Sequence, residues 1–213
     1  MTSEKSLSGV ILVSFEYPPR RLSPISDVVF QLATFCLKKE TNVWVVTFDD
    51  WRSDITNENG IVVNRIPNHI PNNISDLTII LNLKCAYQAA IAAIMHEHQV
   101  DIIHLFEWQT LPLLVPWDGN IQPKVVYTTT SIQISRENAH FPYHQGLKKI
   151  EEKALKNVDL ILVDTDQLML NAIEEYNLEP AKVITQKIRQ RKIAPKIFQQ
   201  YLTLLPSEYK EES

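Results

Sequence analysis

The sequence predicts an α/β protein: a single Rossmann-like, doubly wound and mainly parallel sheet flanked by helices. Three observations carry this. Strand-length runs of Val, Ile and Leu recur along the 213 residues, most of them continuous rather than alternating, as strands covered on both faces require. Helical patterns separate the runs, and that alternation favours right-handed crossovers in an open sheet. The composition, 45% hydrophobic and 22% charged, is globular, and a chain of this length buries a substantial core.

The strands are expected at 10–15 (VILVSF), 43–48 (VWVVTF), 61–66 (IVVNRI), 101–106 (DIIHLF), 124–129 (KVVYTT) and 159–164 (DLILVD), with a last short one in 181–185 (AKVIT). Between them, 26–39 reads as a helix with Ser26 as N-cap and with Val28, Val29, Leu32, Phe35 and Cys36 on one face. The stretch 83–98 is alanine-rich and apolar nearly all round, so its helix should be mostly buried. The stretch 144–157 turns Leu147, Ile150 and Leu155 inward, and 167–177 follows the last clear strand as another helix. In 186–205, Ile193, Ile197, Tyr201 and Leu204 recur at helical spacing, with Pro195 at the first turn or a kink. The expected organisation is a flexible start over 1–8, one domain over 9–185, a closing helix over 186–205 and a disordered tail over 206–213.

A net charge of -4 gives no general attraction to nucleic acid or to an anionic membrane. The cysteines, Cys36 and Cys85, lie in apolar helical segments and read as buried free thiols in a reducing, cytoplasmic setting. The polar start and the short apolar run behind it fit neither a signal peptide nor a membrane span.

Ligands of such sheets sit beyond the carboxyl ends of the strands. The turns there are FEYPPRRLSP (15–24), FDDW (48–51), FEWQT (106–110) and TTTSIQIS (128–135). In order, these pieces resemble the N-terminal half of glycogen and starch synthases and related retaining glycosyltransferases of the two-domain GT-B fold. EYPP with the following DVV is similar to that family's opening, and DIIHLFEWQT to its D-V-V-H-x-H-D-W-Q-T signature, with Trp108, Gln109 and Thr110 behind His104. IEEKALKNVDLILVDT and EPAKVI resemble the segments that close its N-terminal domain.

The departures bear on activity. Ser23-Pro24 stands where the family has a Gly-Gly turn that lets backbone approach the donor phosphates. Thr130 stands where the family has a histidine facing the transferred sugar, and Phe106 and Glu107 replace the second His and the Asp of the signature. The segment TQKIRQRKIAP (185–195) stands where a linker would lead to the donor-binding domain. The resemblance therefore implies a glycosyltransferase-like domain, catalytically inactive alone, that serves as a carbohydrate-binding or interaction module. Its tail helix would pack as the family's final helix does. One alternative is the subunit of a split nucleotide-sugar-dependent enzyme whose donor domain comes from another chain. Another is a homodimeric structural protein. A glucan or sugar ligand and a protein partner are the expected companions; nucleic acid, membrane, cofactor and metal are not.

No catalytic residue is assigned. The candidate cleft comprises Glu16, Arg20, Arg21, Ser23, Glu107, Trp108, Gln109, Thr130 and Ser131. Arg20 and Arg21 suit an anionic sugar or phosphate, or a solvated loop pair. Glu107 and Trp108 suit a sugar clamp, or a turn cap and a ring filling the mouth of the sheet. Thr128 to Ser131 offer hydroxyls without an evident base and read as turn and cap residues. Asp49 and Asp50 point apart at a strand end and read as a solvated turn. His96 with His98, and His140 with His144, make poor metal pairs by spacing or by the intervening Pro142. Lys187, Arg189, Arg191 and Lys192 read as a solvated helix face.

Overall fold

The computed structural model describes residues 6–69, 76–113, 123–132, 142–188, 190 and 192–206. The first residues, His140 and the side chain of His144, Arg189, Arg191 and the tail from 207 lie outside the described residues.

The elements run β1 (Gly9–Ser14), α1 (Ile25–Lys38), β2 (Asn42–Asp49), β3 (Asp54–Glu58), β4 (Ile61–Pro67), α2 (Asp76–Glu97), β5 (Ile102–Phe106), β6 (Lys124–Thr129), α3 (Pro142–Leu155), β7 (Leu160–Val163), α4 (Asp166–Tyr176), β8 (Val183–Thr185) and α5 (Ile193–Leu204). A 3-10 helix, Trp108–Leu113, follows β5. The strands form one eight-stranded sheet in the order β3-β4-β2-β1-β5-β6-β7-β8. All neighbours are parallel except β3 with β4. This is the Rossmann-like α/β fold that the continuous apolar runs require.

Strand residues alternate between two core layers. Ile11, Val13 and Val46 pack with α2, the 3-10 helix, α3 and α4. Val10, Leu12 and Val45 pack with α1 and α5 on the opposite face. Gly9 opens β1 because the chain passes too close for a side chain: an added Cβ would lie 2.4 Å from the Gln99 carbonyl oxygen and 2.7 Å from the Trp44 ring.

Three local expectations are corrected. Ser26 does not cap α1. The helix starts behind Pro24, whose φ of -59° already suits a helical turn, while Ser26 is buried and donates its hydroxyl to the Ser23 carbonyl at 3.2 Å. The α2 helix is not mostly buried: Ile80, Leu83, Tyr87 and Ile91 face the core, whereas Leu81, Ala86, Ala89 and Ala92 face outward. Cys85 shares that outward face and is exposed, whereas Cys36 is buried. The physical reason is that a helix on one side of a sheet has a single face to bury, whatever its composition. Among the described residues, α2 is also a helix long and apolar enough to cross a membrane.

The antiparallel β3 is an addition. It is polar and alternates in burial, and it joins β4 through Asn59-Gly60, both at positive φ (55° and 95°). That pair suits a two-residue type I′ hairpin, where glycine removes the Cβ penalty.

At the end of the described chain, Ile193, Ile197, Phe198 and Tyr201 of α5 are buried against α1 and the sheet. Phe35 and Phe198 meet edge to face at 5.5 Å.

Candidate functional site

The carboxyl ends of β1, β2, β5 and β6 carry two polar networks built from the candidate residues. The first closes the loop after β1. Glu16 turns its carboxylate back, and its Oε2 accepts the backbone N–H groups of Leu22 at 2.8 Å and Ser23 at 2.6 Å. Ser14 fixes Glu16 from the other side, its Oγ accepting the Glu16 N–H at 3.1 Å and donating to the Glu16 carbonyl at 2.8 Å. Ser23 Oγ in turn accepts the Ile25 N–H at 3.2 Å. The amides ahead of α1 that could meet an anion are thus held by a charge from the chain itself.

Arg20 ties this loop to the next strand end. Its Nε meets Asp50 Oδ2 at 2.9 Å, its guanidinium donates to the Phe15 carbonyl at 3.0 Å, and it stacks 4.7 Å above the Phe48 ring. Arg21 stays outside this network, exposed beside Asp27 at 3.6 Å.

The second network joins β5 to β6. Glu107 adopts φ 62°, an uncommon conformation for a residue with a Cβ, which aims its carboxylate back across the neighbouring strand end. Oε1 accepts the Thr130 N–H at 2.9 Å and its hydroxyl at 2.7 Å, and Oε2 lies 3.0 Å from Thr129 Oγ1. Thr129 Oγ1 also lies 2.5 Å from the Ser131 carbonyl and accepts the Ser131 N–H at 3.2 Å. Glu107, Thr130 and Ser131 therefore form one cluster, in which the carboxylate organises a turn. Trp108 is half-buried against the α2 side of the core. The Oε1 of Gln109 is buried without a hydrogen-bond partner among the described residues.

Sequence reasoning missed residues that hold this edge in place. Arg65 on β4 has only 1% of its side chain exposed. It reaches Glu58 at 2.7 Å, Thr56 Oγ1 and the Pro18 carbonyl at 3.0 Å each, and Asp49 at 3.7 Å. An arginine inside IVVNRIP was the available signal, since a buried guanidinium demands acceptors on neighbouring segments. The expectation of a solvated turn at Asp49 is corrected by the same cluster. Asp49 is 7% exposed and accepts the N–H groups of Trp51 (3.0 Å) and Arg52 (2.9 Å) and the Arg52 side chain. Burial raises its carboxyl pKa, but these hydrogen bonds and the Arg52 charge outweigh burial and hold it below the usual value.

His104 is fully buried and has no access to a ligand. Its Nδ1 lies 2.5 Å from Tyr201 Oη and its Nε2 2.7 Å from Thr128 Oγ1, so it links α5 to the sheet. Burial pushes its pKa well below 6.5 and keeps the ring neutral, with one nitrogen donating and the other accepting. A shallow hollow of about 280 Å³ between α1 and α5, lined by Phe30, Phe35, Lys38 and Lys192, contains none of the candidate residues. No His, Cys, Asp and Glu cluster fit for a metal occurs among the described residues.

The sequence matches no protein-family model and no curated protein. Solved structures do share its fold. The sucrose-phosphate synthase of Thermosynechococcus elongatus superposes with a TM-score of 0.66 at 14% identity, over 84% of this chain and 47% of that one. A second form of that synthase, designated by the segments 27–220 and 406–426, gives 0.64 at 15% identity, over 92% of this chain and 99% of that one. The catalytic domain of starch synthase IV from Arabidopsis thaliana, bound to ADP and acarbose, gives 0.61 at 13% identity, over 85% and 51%. A UDP-N-acetylglucosamine 2-epimerase from Listeria monocytogenes gives 0.54 at 14% identity, over 84% and 45%. The chain spans about half the length of the sucrose-phosphate synthase, starch synthase catalytic-domain and epimerase chains it matches. It has the α/β fold of one half of a GT-B protein, as glycosyltransferases and epimerases alike do.

Proposed function

We propose that this chain is a glycosyltransferase-like module that does not transfer sugar by itself and acts by binding carbohydrate or a protein partner. The observation that carries the reading is the Glu16 carboxylate seated on the Leu22 and Ser23 amides. Glycosyl transfer from a nucleotide-sugar needs donors and positive charge aimed at the diphosphate. Here the nearest amides are occupied, and the occupant is an anion that repels phosphate. Glu107 is spent on Thr129 and Thr130 in the same way, which leaves no free carboxylate at that strand end among the described residues to act on a sugar. The starch synthase that shares the fold carries both ADP and acarbose, which supports a saccharide as ligand once the nucleotide is set aside. The outward apolar face of α2 supports the partner-binding role.

Calorimetric titration with UDP-glucose, ADP-glucose and maltooligosaccharides tests this. Silence toward both nucleotides with saturable maltooligosaccharide binding is the expected result; a nucleotide-sugar that binds the purified chain would overturn it. A second reading, the subunit of a split transferase, draws on the half-length match. It requires glucosyl transfer to appear when a copurifying protein is added back.

A further inference from the structure

Trp51 is 92% exposed, more than any other large apolar residue described, although it sits in one of the best-anchored turns of the molecule. Its N–H is held by Asp49 Oδ1 at 3.0 Å, and Asp49 is itself gripped by Arg52 at 3.0 Å and faced by buried Arg65 at 3.7 Å. The indole is projected from a fixed support at the carboxyl edge of the sheet. Its chain neighbours are a carboxylate and a guanidinium, both partly open to solvent: Asp50 with 52% and Arg52 with 39% of the side chain exposed. Asp50 is oriented by its ion pair with Arg20 at 2.9 Å.

We propose that Trp51 is the stacking platform for a hexopyranose ring of an oligosaccharide, with Asp50 and Arg52 as hydrogen-bonding partners for the ring hydroxyls. The proposal rests on the carbohydrate-binding reading above and locates it. A pyranose presents one face of C–H groups, which pack on an aromatic surface, and a rim of hydroxyls. The rim pairs best with planar groups that accept or donate at two points, as carboxylate and guanidinium do. A flat, exposed aromatic whose chain neighbours keep part of a carboxylate and part of a guanidinium open to solvent, beyond their pairings with Arg20 and Asp49, matches that ligand, and rigid support limits the entropy lost on binding. Leu22, exposed by 70%, lies two residues beyond Arg20 in the loop tied to Asp50, and Ile55, exposed by 69%, lies on β3, four residues after Trp51. They make a protein the competing occupant.

The test is a maltooligosaccharide titration followed by tryptophan fluorescence and by calorimetry, on the wild type, Trp51→Ala, Trp51→Tyr and Asp50→Asn. The ring is solvent-exposed, so none of these substitutions opens the core. Trp51→Ala should weaken binding about tenfold and abolish the fluorescence change, with Trp51→Tyr retaining most of the affinity. Wild-type binding unchanged in Trp51→Ala would overturn the platform and leave the carbohydrate-binding reading intact. If the wild type binds no saccharide, both fall. Light scattering decides for a protein contact if Trp51→Ala then lowers the mass of an assembly.

Discussion

Replacing Glu16 by alanine separates a plugged anion site from a merely polar loop. The carboxylate accepts two amide hydrogen bonds, at 2.8 Å from Leu22 in an exposed position and at 2.6 Å from Ser23 in a partly buried one. Charged hydrogen bonds contribute about 1.5–3 kcal/mol each when shielded. Water replaces the exposed one, so the net loss falls to about 1–2 kcal/mol, comparable with deleting a helix cap. For a domain of this size that lowers Tm by about 3–6 °C. The vacated amides then face solvent ahead of α1 beside Arg21, and an anion gains what the carboxylate gave up. Inorganic phosphate or UDP-glucose at ten times its Kd should restore about 1.4 kcal/mol to the variant and nothing to the wild type. Glu16→Gln, which keeps an acceptor oxygen, should stay close to wild-type stability and bind anions weakly. Thermal-shift titration of the three proteins measures all of this. Stabilisation of the wild type by nucleotide, or an alanine variant that melts with the wild type and ignores phosphate, refutes the plug.

Other perturbations read the supports of this edge. Burial depresses the His104 pKa below its unfolded value of 6.5. The unfolded chain therefore takes up a proton that the folded chain refuses, and stability present above pH 6.5 is lost as the pH falls from there toward the folded pKa. Between pH 7.5 and 5.5 this contributes on the order of 1 kcal/mol to the loss seen in urea denaturation, and His104→Gln should remove that part of the slope. Tyr201→Phe should cost about 1 kcal/mol at neutral pH by leaving one imidazole nitrogen unpaired. Arg65→Met should cost about 3 kcal/mol by chemical denaturation. That is the low end for a broken buried pair, because Arg52 still serves Asp49. Gly9→Ala should destabilise by about 2 kcal/mol, since the methyl would meet the Gln99 backbone rather than a movable side chain.

The fold was legible because its strands are buried on both faces, and that condition writes itself locally as unbroken Val, Ile and Leu. Where burial is one-sided, the local text misled or fell silent. In α2, alanine filled the outward positions, and composition alone could not say which face the sheet would cover. In β3, the burial alternates with little hydrophobic signal, and only Asn59-Gly60 marked the hairpin. Arg65 stood in plain view inside an apolar run, but its acceptors come from β2, β3 and the loop after β1, and no local window contains them.

The candidate site shows the same division more sharply. Strand, turn and helix at 11–30 predict a ligand platform because they fix where amides and side chains stand. Whether the platform is open depends on one further pairing, Glu16 with amides six and seven residues on. The same holds at the other strand end, where Glu107 reaches Thr130, 23 residues away, across two adjacent strands. A carboxylate at the carboxyl edge of a parallel sheet reads identically in sequence whether it awaits a sugar hydroxyl or already holds a backbone N–H. Geometry separates the two, and here both carboxylates are held. What the edge still offers to a ligand are the groups that no neighbour claims, and a tryptophan standing in water on a pinned turn is the largest of them.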